Sequence, residues 1–179
     1  MSNATVTTPS RRVAIVTGAS GGIGRAVAER LAADGMAVAV HYGHNADQAS
    51  RVADAITAAG GTALLVNGDI ADEADVAAIF DAVDAEYGGV DVVVNTAGIM
   101  ELAPLVDLDL AVFDRTHRTN VRGTFAVAQQ AARRVREGGA IINFSSSVVK
   151  LALPSYTAYA ARSEARRVGK ECDLMCRSR

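Results

Sequence analysis

A cluster of glycines near the amino terminus is the first feature of the sequence that could do chemistry. Residues 17–24 read Thr-Gly-Ala-Ser-Gly-Gly-Ile-Gly and follow directly on a short apolar run. In this arrangement Gly18 permits a tight turn, Gly22 lets the backbone approach a bound group, and Gly24 lets a helix pack against a strand. Glycine-rich turns also close ordinary strand–helix loops, but unpaired amides at a helix start bind phosphate well. The turn therefore predicts a site for the diphosphate of a dinucleotide.

The stretches around this turn alternate between short apolar runs and longer segments with helical spacing. We predict strands at the apolar runs, which are residues 13–16, 37–40, 63–66, 90–94 and 140–142. We predict helices at residues 23–34, 46–59, 73–86 and about 109–136, with glycines near residues 35, 60, 88 and 138 marking their ends. Continuous apolar runs are typical of parallel strands buried on both faces. The alternation predicts the α/β fold class, with a doubly wound parallel sheet of the Rossmann type.

Further polar residues stand at or beyond the later predicted strands. Asp69 follows the third strand, the sequence Asn95-Thr96-Ala97-Gly98 follows the fourth, and Ser146 lies beyond the fifth. Asn120 occurs in the last helical segment in the sequence Thr-Asn-Val, and Tyr159 comes thirteen residues after Ser146. Together with the spacing Thr-Gly-x-x-x-Gly-x-Gly of the turn, these features resemble the short-chain dehydrogenase/reductase family.

The resemblance covers residues 11–161 and implies an oxidoreductase that moves a hydride between a nicotinamide cofactor and a carbonyl or secondary alcohol. It implies that Tyr159 is the general acid/base, that Ser146 hydrogen-bonds the substrate oxygen, and that Asn120 supports a proton-relay water. Taken singly, these three residues also have purely structural interpretations, and their joint spacing favours the catalytic one. The resemblance further implies a set of cofactor-binding residues, which are Gly18, Ser20, Gly22, Ile23, Gly24, Asp69 (at the adenine ring), Asn95, Ala97 and Gly98.

One position departs from the family's catalytic pattern. A tyrosine side chain has a pKa of about 10, so roughly one part in a thousand is ionised at neutral pH. The family places a lysine four residues after the tyrosine, on the same helix face, where its charge lowers that pKa. Ser163 stands at this position and carries no charge. Neither Lys150 nor Lys170 is a convincing substitute, so we expect this chain to be inactive as it stands.

The residues after the second predicted strand bear on the choice of cofactor. An acidic residue there would bind both ribose hydroxyls and repel a 2′-phosphate. The sequence is His41-Tyr42-Gly43-His44-Asn45, with no carboxylate, so we predict a preference for NADP(H) over NAD(H). Gly21 replaces an arginine that the family often places in the turn, and Arg25 is the candidate substitute. We interpret His41 and His44 as polar loop residues rather than metal ligands.

The composition fits one globular domain and disfavours two classes of function. The chain has 179 residues, of which 50% are hydrophobic and 21% charged, and its formal net charge is −2. This charge and the few aromatic residues argue against a dedicated nucleic-acid-binding protein. No apolar run approaches the roughly 18 residues that cross a bilayer, and residues 1–10 lack the features of a signal peptide. We therefore predict a cytoplasmic protein with a small-molecule substrate and a flexible leader over residues 1–10.

The composition changes at Arg162. Residues 1–161 contain 12 basic and 17 acidic residues and no cysteine, whereas residues 162–179 contain 6 basic and 3 acidic residues and both cysteines. From Arg162 the tail reads Arg-Ser-Glu-Ala-Arg-Arg-Val-Gly-Lys-Glu-Cys, which resembles a translated sequencing-library adapter with Ala165 as one difference. We expect this tail to be non-native and the domain to be truncated, with its last strands missing and its fifth strand an open edge. Cys172 and Cys176 supply only two of the four ligands that zinc usually takes, so we predict no metal site.

The sequence leaves three functions open. The first is the NADP(H)-dependent oxidoreductase, and the resemblance implies that its intact parent is a homo-oligomer. The second is a sensor or scaffolding domain that binds the cofactor without catalysis, which Ser163 motivates. The third is a fragment with no stable function. The substrate is not indicated, because the residues near the expected cleft, Met100-Glu101-Leu102, are too generic.

Overall fold

The computed structural model describes residues 11–146, 155–156 and 158–161. The predicted leader over residues 1–10 and the predicted tail over residues 162–179 lie outside them. Strands and helices alternate along the chain as predicted. The strands are β1 (Val13–Thr17), β2 (Ala37–Tyr42), β3 (Thr62–Asn67), β4 (Val90–Asn95) and β5 (Val135–Asn143), and the helices are α1 (Gly22–Ala33), α2 (Ala46–Ala58), α3 (Glu73–Tyr87), α4 (Leu110–His117) and α5 (Thr124–Arg134).

The five strands form one parallel sheet in the order β3-β2-β1-β4-β5. β1 lies at the centre, where Ile15 is in register with Ala39 of β2 and Val93 of β4. The chain winds outward from β1 to β3 and then crosses back to β4, so the strand order reverses between β1 and β4. This reversal confirms the doubly wound sheet, and in such sheets ligands bind at the carboxyl ends of the strands flanking it.

Two hydrophobic clusters cover the two faces of the sheet. On one face, α1 and α2 pack Ala28, Val52 and Ile56 against the alternate β1 residues Ala14 and Val16. On the other face, α3 and α5 pack against β1, and this cluster includes Val13, Ile15, Val76, Ile79, Phe80, Val83, Val127 and Ala131. Successive residues of a strand therefore pack into opposite hydrophobic clusters, which is why β1, β2 and β4 contain continuous apolar runs.

The prediction of one long helix over residues 109–136 is wrong in the middle of that range. α4 ends at His117, and Arg118–Gly123 form a π-helical segment before α5 begins. A Cβ on Gly123 would lie 2.7 Å from two side-chain atoms of Ile70, so the segment passes very close to the residues after β3. Apolar spacing alone does not reveal such a segment, because one extra residue in a turn shifts the periodicity only slightly.

The same prediction is also wrong at its end. α5 stops at Arg134, and Val135 already pairs with Val90 of β4. The register then shifts, so that residues 136–139 lie opposite the single residue Asp91 before Ala140 pairs with Val92. The glycines at positions 138 and 139 therefore belong to an irregular part of β5 and do not end a helix.

Candidate active site

The glycine turn joins β1 to α1 at the strand reversal, and steric contacts fix its shape. Gly18 has a φ of +66°, and a Cβ on it would lie 2.8 Å from the Cα of Ala97. A Cβ on Gly24 would lie 2.3 Å from the Gly18 carbonyl oxygen and 2.5 Å from the Thr96 hydroxyl. The tight turn expected at Gly18 and the close packing expected at Gly24 are thus both present. Gly22, with a φ of +54°, has open space where its Cβ would be.

The first turn of α1 supplies backbone donors without partners in the helix. Gly21 caps the helix without a side-chain hydrogen bond, and the first amide bonded back along the chain is that of Arg25, to the Gly21 carbonyl. The first amides of a helix have no acceptor within it, and the helix dipole makes this end positive. No acidic side chain lies in this turn. The open face at Gly22 and these donors fit the diphosphate of a dinucleotide.

Asn95 and Thr17 fix the loop that follows β4. The Thr17 hydroxyl donates to Asn95 Oδ1 over 2.7 Å and accepts from the Ala97 amide over 3.2 Å. Asn95 Nδ2 donates to the Thr124 carbonyl of α5, 3.3 Å away. Both side chains are about 1% exposed. The buried network holds residues 95–97 beside the glycine turn, while Gly98 beyond it is exposed.

The structure shows that the interpretation of His41 as a loop residue is wrong. His41 is the fifth residue of β2 and is 2% exposed, with ring nitrogens 3.1 Å from the Gly18 amide and 3.0 Å from the Gly68 carbonyl oxygen. His41 directly follows the apolar run of residues 37–40, so its position extends the strand, although its polarity alone favours a loop. His44 does lie in the exposed loop between β2 and α2.

Asp69 follows β3 and carries a cationic partner that sequence reasoning missed. Its Oδ1 accepts from the Ala71 amide over 2.9 Å, and its Oδ2 accepts from the Arg118 guanidinium over 2.5 Å. Burial acts to raise the pKa of Asp69, but the bonds from Ala71 and Arg118 outweigh it and hold the pKa below its usual value. Arg118 lies 49 positions away in sequence, so no local pattern pairs it with Asp69.

Asn120 lies in the π-helical segment and is fully buried. Its Oδ1 accepts from the Ile99 amide over 2.8 Å, and its Nδ2 donates to the Ile99 carbonyl over 2.7 Å. The side chain thus acts on the loop beyond β4, next to the predicted cofactor residues Ala97 and Gly98. This contact fixes the same loop that Asn95 and Thr17 hold from its other end.

The two remaining catalytic candidates both lie in the described residues. Ser146 is half-buried and comes three positions after the end of β5. Tyr159 is half-buried in the helical residues 158–161, and its ring forms a T-shaped pair with that of Tyr156, with the centroids 6.3 Å apart. Tyr156 forms a parallel bridge with Ala103, which attaches this helix to the loop after β4. Lys150 and Ser163 lie outside the described residues.

The arrangement can be compared with known proteins. The family model for short chain dehydrogenases matches residues 12–165. The chain belongs to the short chain dehydrogenase family. Two curated relatives can be compared with this chain. An uncharacterised oxidoreductase of Methylorubrum extorquens is 39% identical over 83% of this chain and 60% of that protein. A D-threitol dehydrogenase of Mycolicibacterium smegmatis is 40% identical over 84% of this chain and 58% of that protein.

A solved relative extends the comparison to three dimensions. The crystal structure of a short chain dehydrogenase from Burkholderia cenocepacia in complex with NADP superimposes with a TM-score of 0.81 and 40% identity, covering 87% of this chain and 64% of that chain. The chain spans about 60% of the length of the two curated relatives. In the part of the chain that the structure describes, no helix has the length and apolarity that a membrane crossing requires.

Proposed function

We propose that this dehydrogenase binds NADP(H) and that its parent protein transfers a hydride between this cofactor and a carbonyl or secondary alcohol. The observation that carries the proposal is that the open helix amides at Gly22, the Asn95 loop and Asp69 lie at the same edge of the sheet. They follow the carboxyl ends of β1, β4 and β3, and β1 and β4 flank the strand reversal. The unit that would do this extends over residues 11–161, with a leader before it and a non-native tail after it.

Each part of the dinucleotide has chain residues that would hold it. The diphosphate would bind at the turn, where Gly18 shapes the backbone and Ser20, Gly22, Ile23 and Gly24 would contact the phosphates. Asp69 would accept from the adenine amine, and the loop formed by Asn95, Ala97 and Gly98 would line the path to the reacting ring. When bound, the nicotinamide supplies or accepts the hydride.

The proton would be handled by Tyr159. In the reducing direction its Oη donates a proton to the substrate oxygen, and in the oxidising direction it accepts that proton. The Ser146 hydroxyl would donate a hydrogen bond to the same oxygen and hold it near Tyr159. Asn120 would support the water from which the tyrosine recovers its proton. Serine at position 163 supplies no positive charge to favour the tyrosinate, so we expect slow turnover at neutral pH.

The preference for NADP(H) is supported by the residues that follow β2. Gly43 and His44 are exposed, and residues 41–45 contain no carboxylate that would repel a 2′-phosphate. Arg25, the candidate phosphate ligand, pairs with Glu29 over 2.7 Å along α1 and would have to exchange that partner for the phosphate. A relative of this chain is itself known in complex with NADP.

A second candidate is a domain that binds the cofactor without catalysis, in a sensing or scaffolding role. Ser163 favours this candidate, because it removes the positive charge that the family uses in catalysis and leaves the proposed diphosphate site unchanged. Under either proposal the protein is cytoplasmic, and the first proposal includes a homo-oligomeric parent.

The two candidates separate in one set of measurements on the full chain. Calorimetric titration with NADPH and NADH measures the preference, and we expect tighter binding of NADPH. Turnover over a panel of carbonyl substrates is then compared among the unmodified chain, Ser163→Lys and Ser163→Met, the last being a control of similar length without charge. Catalysis predicts that only Ser163→Lys raises kcat, and that Tyr159→Phe in that background lowers kcat by about 10²–10⁴-fold with unchanged NADPH affinity. Binding without turnover in every variant supports the non-catalytic candidate, and absence of binding rejects both.

A further inference from the structure

His41 takes up the first two amides of the glycine turn. Its ring Nδ1 lies 3.1 Å from the Gly18 nitrogen, and its main-chain carbonyl accepts from the Ala19 amide over 2.9 Å. The ring also reaches across to β3, where its Nε2 lies 3.0 Å from the Gly68 carbonyl oxygen. One buried residue therefore connects the turn, β2 and the end of β3.

These partners determine the protonation state of the imidazole. A carbonyl oxygen only accepts, so Nε2 must carry the proton that it shares with Gly68. A backbone amide only donates, so Nδ1 must be unprotonated to accept from Gly18. Both conditions are met only by the neutral ring, and a protonated ring would place two N–H groups against each other at Gly18.

The surroundings of the ring favour that neutral form. Burial lowers the pKa of His41, while the bond to the Gly68 carbonyl and the negative charge of Asp69 act to raise it, and the net direction is downward. Asp69, at the end of β3, is the charged group of the described residues that acts on the ring, and Arg118 partly compensates its charge. From the β1 side, Gly18 meets the ring and Ala19 meets the main-chain carbonyl of His41, and neither residue carries a side-chain charge.

The contact has a directional consequence for the turn. With the amides of Gly18 and Ala19 directed at β2, the donors left to face an anion are those of the following residues, at the start of α1. We propose that His41 is a positioning residue for the dinucleotide diphosphate, acting through the Gly18 peptide, and that protonation of its ring weakens dinucleotide binding. The inference rests on the proposed function, because it assumes that the turn binds that diphosphate.

Two substitutions separate the two ring contacts. His41→Asn keeps an acceptor at the position of Nδ1 and removes the group that reaches Gly68. His41→Gln keeps a donor near the position of Nε2 and removes the acceptor for Gly18. Both replace the imidazole by a buried amide that does not titrate, so each is the control for the other, and His117→Gln on α4 controls for the loss of a histidine elsewhere.

The readouts are the dissociation constants of ADP-ribose, which carries the diphosphate, and of adenosine, which does not. We expect ADP-ribose to bind His41→Gln roughly three- to tenfold more weakly than the unmodified chain, with His41→Asn within about threefold of it. Adenosine should bind all variants equally. As the pH falls from 7.5 to 5.0, the affinity of the unmodified chain and of His117→Gln for ADP-ribose should fall, while that of His41→Asn stays constant.

Each alternative result is informative. If His41→Gln and His41→Asn lower the melting temperature but bind ADP-ribose like the unmodified chain, the role of His41 is structural and the inference is wrong. If the unmodified chain binds neither ADP-ribose nor NADPH, the proposed function itself fails. Long-range ¹H–¹⁵N spectra of the imidazole give a reading that does not depend on a ligand: the inference requires the Nε2–H tautomer, and an Nδ1–H tautomer overturns it.

Discussion

Strands β1 and β5 belong to the same sheet but are stabilised in different ways. All five residues of β1 are buried, whereas none of the nine residues of β5 is, and Ile142 of β5 is 45% exposed. β1 is paired on both sides and covered on both faces, and β5 pairs only with β4 among the described strands. The comparison indicates that the glycine turn, the proposed diphosphate site, follows the more constrained of these two strands, while Ser146 follows the less constrained one.

The largest effect on stability should appear when isoleucine is replaced by alanine in β1 and, in a separate variant, in β5. Ile15→Ala removes a fully buried side chain from the centre and should lower the free energy of unfolding by about 4 kcal/mol, since a cavity remains. Ile142→Ala makes the same chemical change at the exposed edge and should cost roughly 1 kcal/mol or less. Urea denaturation of the two variants measures the difference. Equal costs would show that β5 is covered in solution and would remove the basis of the comparison.

A clash at the turn should have the next largest effect. Gly24→Ala places a Cβ against the Gly18 carbonyl, and α1 must move away, which we expect to cost about 3 kcal/mol and to abolish dinucleotide binding. Gly43→Ala is the matched control, because the nearest atom to its Cβ would be 3.9 Å away. Unfolding curves and NADPH titrations report the two effects separately. A Gly24→Ala variant that binds NADPH normally would show that the turn tolerates displacement.

The hydroxyl of Thr17 tests the loop after β4. Thr17→Val keeps the shape but leaves Asn95 Oδ1 and the Ala97 amide without their partner, which should cost about 2 kcal/mol. Thr17→Ser retains the hydroxyl and should restore most of the loss. Thermal unfolding distinguishes them, and equal stability of the two variants would mean that packing of the methyl group, not the hydrogen bonds, matters at this position.

The smallest effect concerns the exposed ion pair of Arg118 and Asp69. Because the pKa of Asp69 is lowered on folding, its contribution to stability is present above the unfolded value of 3.8 and is lost as the pH falls through the folded value. Arg118→Gln should therefore destabilise the protein at pH 6 by less than about 1 kcal/mol, and by less still at pH 3. Arg30→Gln, which breaks the exposed pair with Asp34, is the control. A loss of stability that is the same at both pH values would show that Arg118 acts through the packing of its side chain and not through the ion pair.

Much of this molecule follows from local sequence. Apolar runs, glycines and helical spacing predicted the first four strands and the first three helices closely, because each signal lies within a few neighbouring residues. The same reasoning failed between residues 109 and 140. There the π-helical segment and the bulge opposite Asp91 arise from contacts with Ile70 and β4, which are distant in sequence.

In the candidate site, too, local features were predicted and contacts between distant residues were not. The glycine turn and the roles of its glycines were both predicted, because the backbone conformation of Gly18 and the helix start at Gly22 are local properties. The burial of His41 between Gly18 and Gly68, and the pairing of Arg118 with Asp69, were not, because their partners lie between 23 and 49 positions away. Sequence thus determined which groups this chain offers to the proposed dinucleotide site. Tertiary structure alone decided how those groups are held, since hydrogen bonds between distant residues exist only once the sheet brings the strand ends together.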